Sequence, residues 1–131
     1  METSNFKLGS DNTYFVTYWK PKEMKKPKGL VFICHGFADY FGQCYDGIAE
    51  SLVQRGYLVF GHDHIGHGRS TGERAIVKNI DEYVTPVLAH VKKVQNDYNG
   101  ELPLSIVGHS MGGLISVYAA ISEPNLFTRL R

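Results

Sequence analysis

Cysteine is scarce in this chain. Cys34 and Cys44 are the only two, too few for the disulfide framework on which small secreted folds depend. Cys34 lies in a strongly apolar run and reads as a buried small hydrophobe. A surplus of charge is lacking as well. Fourteen Lys and Arg against thirteen Asp and Glu leave a formal net charge of +1. That removes the electrostatic case for nucleic acid, which asks for a concentrated basic face. No apolar stretch approaches the ~20 residues needed to span a bilayer. The opening Met1-Glu2-Thr3-Ser4-Asn5 has neither the basic nor the apolar region of a signal peptide. We expect a cytoplasmic protein, with peripheral membrane contact left open.

What is present suits a globular fold. Hydrophobic residues make up 43% of 131, enough to build a core and to argue against wholesale disorder. The one basic cluster, Lys20, Lys22, Lys25, Lys26 and Lys28, is interleaved with Pro21 and Pro27 and reads as a solvated inter-strand loop. A weak contact with anionic lipid headgroups is the sharper alternative.

Residues 13–19 are rich in β-branched and aromatic side chains, a strand pattern. Gly29 to Cys34 is a short continuous apolar run, suited to a strand covered on both faces. Residues 43–55 carry Tyr45, Ile48, Ala49, Leu52 and Val53 at helical spacing, with Gly56 as the stop. Tyr57 to Phe60 predicts another buried strand, and a Gly-rich loop follows through Gly72. Residues 80–98 form an amphipathic helix in which Pro86 is expected to kink or delay the start. Leu102 to Val107 reads as a third apolar strand, and Met111 to Ser122 as a helix stopped by Pro124. Strands alternating with helices imply βαβ units and a mostly parallel sheet with helices on both faces.

The chemistry lies between that third strand and the helix after it. Gly108-His109-Ser110-Met111-Gly112 matches G-x-S-x-G, a weak signal alone and a strong one in a strand–turn–helix context. A serine on so sharp a turn projects its hydroxyl above the sheet edge. Side chains at Gly108 or Gly112 would obstruct the turn, and the helix start supplies N–H groups where an oxyanion develops.

Together with Cys34-His35-Gly36-Phe37, Gly61-His62-Asp63-His64-Ile65-Gly66-His67-Gly68-Arg69-Ser70 and Gly72-Glu73-Arg74, the motif resembles the monoacylglycerol lipase family of the α/β-hydrolases. That group also holds serine aminopeptidase-like (S33-type) domains and lysophospholipases. The resemblance covers roughly residues 6–124. It implies a serine hydrolase of lipid esters with Ser110 as nucleophile and an oxyanion hole formed by the backbone N–H groups of Phe37 and Met111. His35, Gly36, Gly108, Gly112 and Gly113 would support the nucleophile elbow and its neighbouring loop. The expected substrate is a lipid ester, first of all monoacylglycerol, with a lysophospholipid or another carboxylic ester as alternatives. No metal and no organic cofactor is implied. Phe37 is bulkier than the small residue expected at its position.

The same family pattern asks for an Asp or Glu and then a His after the nucleophile. Residues 111–131 contain no histidine and no aspartate, and Glu123 is their only acid. We therefore read residues 1–131 as the N-terminal portion of one α/β-hydrolase domain, a fragment without the cap and the C-terminal catalytic segments. So read, the chain ends after the nucleophile helix, with an open edge on the strand before it, and is expected to be inactive alone. Two rival readings stand beside this one. His62, His64 and His67 make H-x-H-x-x-H, a spacing that can ligate zinc, though no second cluster completes the shell. A pseudo-hydrolase that binds lipid or a partner without turnover is the other.

Overall fold

Six strands and three helices alternate along the computed structural model, which describes residues 1–9, 11–23, 26–76 and 78–130. Lys25 of the basic run and the terminal Arg131 lie outside the described residues. The strands are β1 (Glu2–Leu8), β2 (Asn12–Trp19), β3 (Leu30–Cys34), β4 (Leu58–His62), β5 (Leu104–Gly108) and β6 (Arg129–Leu130). The helices are α1 (Gln43–Gln54), α2 (Asp81–Asp97) and α3 (Met111–Ser122). They form a single sheet in the order β1-β2-β4-β3-β5-β6. β4, β3, β5 and β6 run parallel, and β1 and β2 join the β4 side antiparallel.

The short apolar runs become the middle of this sheet because both of their faces are covered. Leu30, Phe32, Leu58, Phe60, Leu104 and Ile106 turn to one side, where Val84, Val87 and Val91 of α2 and Ile115 and Ala119 of α3 meet them. Val31, Ile33 and Val59 turn to the other, against Trp19, Phe41 and the Tyr45 and Ala49 of α1. Phe32 pairs with Phe60 on one side and Ile106 on the other. It is fully buried, so truncation to alanine should cost about 3–5 kcal/mol. α1 presents only part of its expected apolar face inward, since Ile48 is exposed.

Three details differ from the sequence reading. β1 forms although its residues are polar and mostly exposed; it gains order from pairing with β2 in register from Glu2↔Tyr18 to Leu8↔Asn12. Pro86 neither delays nor interrupts α2, which starts at Asp81 and carries the proline buried within it. The chain also continues past α3 into β6, where Ser105 pairs with Arg129 and Ile106 with Leu130, so β5 is not left wholly unpaired. The stops fall where expected. Gly56, at φ +94, turns its N–H back to Val53 O at 2.9 Å and ends α1. α3 ends at Ser122, and Glu123, at φ −133 and ψ 75, leaves the helical conformation before Pro124.

Candidate active site

β5 ends at Gly108 and α3 begins at Met111, so His109 and Ser110 must reverse the chain within two residues. Ser110 does so at φ 55 and ψ −119, a conformation costing a non-glycine residue about 1–3 kcal/mol unless its surroundings enforce it. Here they do. His109 N–H donates to Cys34 O at 3.1 Å, Gly112 N–H to His109 O at 2.8 Å, and Gly113 N–H to Ser110 O at 2.9 Å. A β-carbon at Gly108 would strike the Gly112 carbonyl and come within 2.6 Å of Gly113 Cα. One at Gly112 would overlap the Cys34 carbonyl. At Gly113 an added β-carbon meets nothing closer than Gly108 O at 3.7 Å. The two motif glycines are therefore required by space; the third matters through the nearness of its backbone to Gly108. Ser110 and His109 are both exposed.

The loop after β3 comes directly against this turn. A β-carbon on Gly36 would lie 3.5 Å from Ser110 Cβ and 3.3 Å from His109 Nδ1. Among the described residues, neither Phe37 N–H nor Met111 N–H donates a hydrogen bond. One is a loop amide and the other the first amide of a helix, where the helix carries partial positive charge. Met111 N–H thus adjoins the exposed serine in the chain, and Phe37 N–H follows Gly36, which lies directly against it. The Phe37 ring is 51% exposed and packs edge-on against His67, centroids 5.6 Å apart.

Behind the loop lies a buried polar layer. Asp63 is fully buried, and its carboxylate accepts Phe41 N–H at 2.8 Å and Arg69 N–H at 3.0 Å. Its carbonyl accepts the Ser70 hydroxyl at 2.6 Å. His64 N–H donates to His35 Nε2 at 2.9 Å, and His35 Nδ1–H donates to Gly36 O at 2.7 Å. His64 Nε2–H returns to His35 O at 3.0 Å. On the α2 side, His62 Nδ1 and His90 Nδ1 share a proton at 3.0 Å, and His90 Nε2 meets the Tyr18 hydroxyl at 3.1 Å. Burial lowers His35 to about 4 and His90 to about 3, and it drives His62 and His64 well below the usual value. All four are neutral at pH 7.

The six histidines do not converge on the serine. Each of the five buried ones (His35, His62, His64, His67 and His90) has a ring nitrogen bonded to another histidine, to Tyr18, to Cys34 or to a backbone group, while His62 Nε2, His64 Nδ1 and His67 Nε2 have no partner; among the described residues no ring nitrogen bonds to Ser110. Nor do they converge on a metal position: among the described residues no three His, Cys, Asp or Glu side chains are grouped as ligands. A surface cleft of about 750 Å³ lies between α1 and the Lys/Pro segment, lined by Trp19, Lys20, Pro21, Lys22, Asp46 and Gln54 among others. None of its lining residues belongs to the elbow. Among the described residues no helix is long and apolar enough to cross a membrane. The couplings from His35 to His64 and from His62 to His90 join residues 29 and 28 positions apart, and no local pattern announces them.

Residues 25–130 match the family described as Hydrolase_4, serine aminopeptidase, S33. The chain is 45% identical over 129 residues to a monoglyceride lipase homolog of Monkeypox virus, covering 98% of this chain and 45% of that protein. It is 44% identical over 122 residues to the monoglyceride lipase of Rattus norvegicus, covering 92% and 39%. A thermostable carboxyl esterase from Bacillus coagulans, solved in complex with glycerol, shares the fold at TM-score 0.83 and 24% identity, covering 98% of this chain and 42% of that one. The chain thus spans less than half the length of these relatives.

Proposed function

This chain belongs to the serine aminopeptidase (S33) family of the α/β-hydrolases, and from that premise we propose that it serves the hydrolysis of lipid esters through an acyl-enzyme on Ser110. Monoacylglycerol, split to glycerol and a fatty acid, is the first candidate substrate, because similar proteins are named monoglyceride lipases. The observation that carries the reading is the strained Ser110 at the strand–helix junction, adjoined in the chain by the free N–H of Met111 and approached by the loop that carries the free N–H of Phe37.

In this mechanism Ser110 Oγ attacks the ester carbonyl while a histidine base takes its proton. The carbonyl oxygen becomes the oxyanion and accepts hydrogen bonds from Phe37 N–H and Met111 N–H. Collapse expels glycerol, which receives the proton, and a water then releases the fatty acid by the same steps. Residues 111–131 supply neither histidine nor aspartate. The proposal therefore treats residues 1–131 as the nucleophile and oxyanion portion of a domain whose acid and base follow Ser110 in the order Ser, Asp or Glu, His. Lipid substrate entails contact with a membrane or micelle surface, which we place at the periphery of the protein.

Ser110→Ala tests this. In a protein carrying this portion, hydrolysis of monoacylglycerol should fall by on the order of 10⁴-fold or more, since triad members act as a unit. Near-normal turnover in a folded Ser110→Ala variant would rule out Ser110 as the nucleophile.

A further inference from the structure

The Gly36–Phe37 peptide is held from its carbonyl side by a single side chain. His35 Nδ1–H donates to Gly36 O at 2.7 Å. The chain contains no cis peptide among its described residues, and in a trans peptide the C=O and N–H of one unit point in opposite directions. Fixing Gly36 O therefore fixes the direction of Phe37 N–H. A hydrogen bond on the carbonyl also polarises the amide and strengthens its N–H as a donor.

The His35 ring is held in turn. Its Nε2 accepts the backbone N–H of His64 at 2.9 Å. A backbone amide can only donate, so Nε2 must carry no proton and the neutral ring must carry it on Nδ1. His64 then closes the clasp through Nε2–H to His35 O at 3.0 Å. Both histidines are buried, so water does not compete for these bonds.

Resting on the reading of Phe37 N–H as an oxyanion donor, we infer that His35 is a positioning residue. Held as its Nδ1–H tautomer by the backbone of His64, it orients the Gly36–Phe37 peptide toward the oxyanion. His64, on the loop after β4, thereby becomes part of the support of the site.

Two variants separate this role from mere packing. Asparagine places its amide nitrogen where Nδ1 stands and can keep the bond to Gly36 O, while it leaves His64 N–H unpartnered. Glutamine places its amide near Nε2, can accept His64 N–H, and loses the bond to Gly36 O. In the full-length protein, His35→Gln should melt somewhat below the parent, since buried Gly36 O loses its partner, yet lower kcat by roughly tenfold to a hundredfold, with KM changed less than about threefold, because misdirecting an oxyanion donor forfeits part of the about 10²–10³ that such a donor contributes. His35→Asn should also melt below the parent and keep kcat within about threefold of it, because it keeps the donor on which the oxyanion hole depends. Equal losses of kcat in both variants, or losses that follow melting temperature, overturn the inference.

Nitrogen NMR of the His35 ring provides a readout independent of turnover. We expect a pyrrole-type Nδ1 and a pyridine-type Nε2, with the Phe37 amide proton shifted in His35→Gln and little moved in His35→Asn. A protonated Nε2, or a Phe37 amide indifferent to both changes, also overturns it. Absence of Ser110-dependent hydrolysis in the parent protein would instead defeat the functional reading, and the NMR result would still decide the tautomer and the peptide link.

Discussion

A β-carbon at Gly112 would overlap the carbonyl oxygen of Cys34 and sit 2.6 Å from that of His35. Both obstacles are backbone atoms of the neighbouring strand end and cannot turn aside as a side chain could. Gly112→Ala should therefore destabilise the fold by about 2–3 kcal/mol or more, as overpacking at a rigid contact does. Gly113→Ala has room, and replacing a helical glycine by alanine should gain about 0.5–1 kcal/mol. Urea unfolding of the two variants checks this; equal effects of one sign would mean that the elbow does not pack as described. The sequence reading groups these adjacent glycines together as support of the elbow, although the motif itself includes only Gly112, and their neighbours in space show why. Ser110 was legible for the opposite reason, since strand, turn and helix adjoin it in the chain. The His35–His64 clasp was not, because its partners meet only once β3 and β4 lie side by side.

At the scale of elements, β3, β4 and β5 declare themselves by continuous apolar runs, because a strand buried on both faces has no polar alternation to show. β1 has the reverse problem: an exposed edge strand with polar residues carries little signal apart from its partner. The packing of α2 on the sheet was legible in its apolar stripe, while its polar fastening through His90 to His62 and Tyr18 was not. That fastening has a pH consequence. Burial holds His35 near 4 and His90 near 3, with His62 and His64 also lowered, whereas an unfolded histidine titrates near 6.5. Below 6.5 the unfolded chain binds protons that the folded chain refuses. Stability is then full above about 6.5 and declines as the pH falls toward 4 and 3, where the folded rings finally charge. At pH 5 each such site should cost on the order of 2 kcal/mol relative to pH 7.5, from about 1.4 kcal/mol per pH unit. The urea midpoint should drop accordingly, and a midpoint unchanged between those pH values would refute the neutral buried network.

For the molecule as a whole, the outer face of α3 sets the behaviour of residues 1–131 in isolation. Leu114, Val117, Tyr118 and Ile121 recur at i, i+3, i+4 and i+7, so they form one stripe along the helix, and all four are exposed, Ile121 at 69%. No charged residue interrupts α3. Alongside it, among the described residues, the β6 segment meets β5 at Leu104, through Thr128 N–H, and at Ser105 and Ile106, which leaves the Val107–Gly108 end of a strand suited to burial at the sheet margin. Exposed apolar stripes and unpaired strand edges both promote association. Expressed by themselves, residues 1–131 should self-associate at micromolar concentration, visible as a concentration-dependent mass in sedimentation or light scattering. Two charges placed on the stripe, Leu114→Lys with Ile121→Glu, should shift the distribution toward monomer, since both side chains face outward. Ester hydrolysis by this span should remain at the residual level that an oxyanion hole alone provides, because no histidine nitrogen bonds to Ser110. A stable monomer with turnover comparable to an intact relative would contradict both arguments at once. It would require one of the upstream histidines, either exposed His109 or a buried one leaving its present partners, to serve as the base.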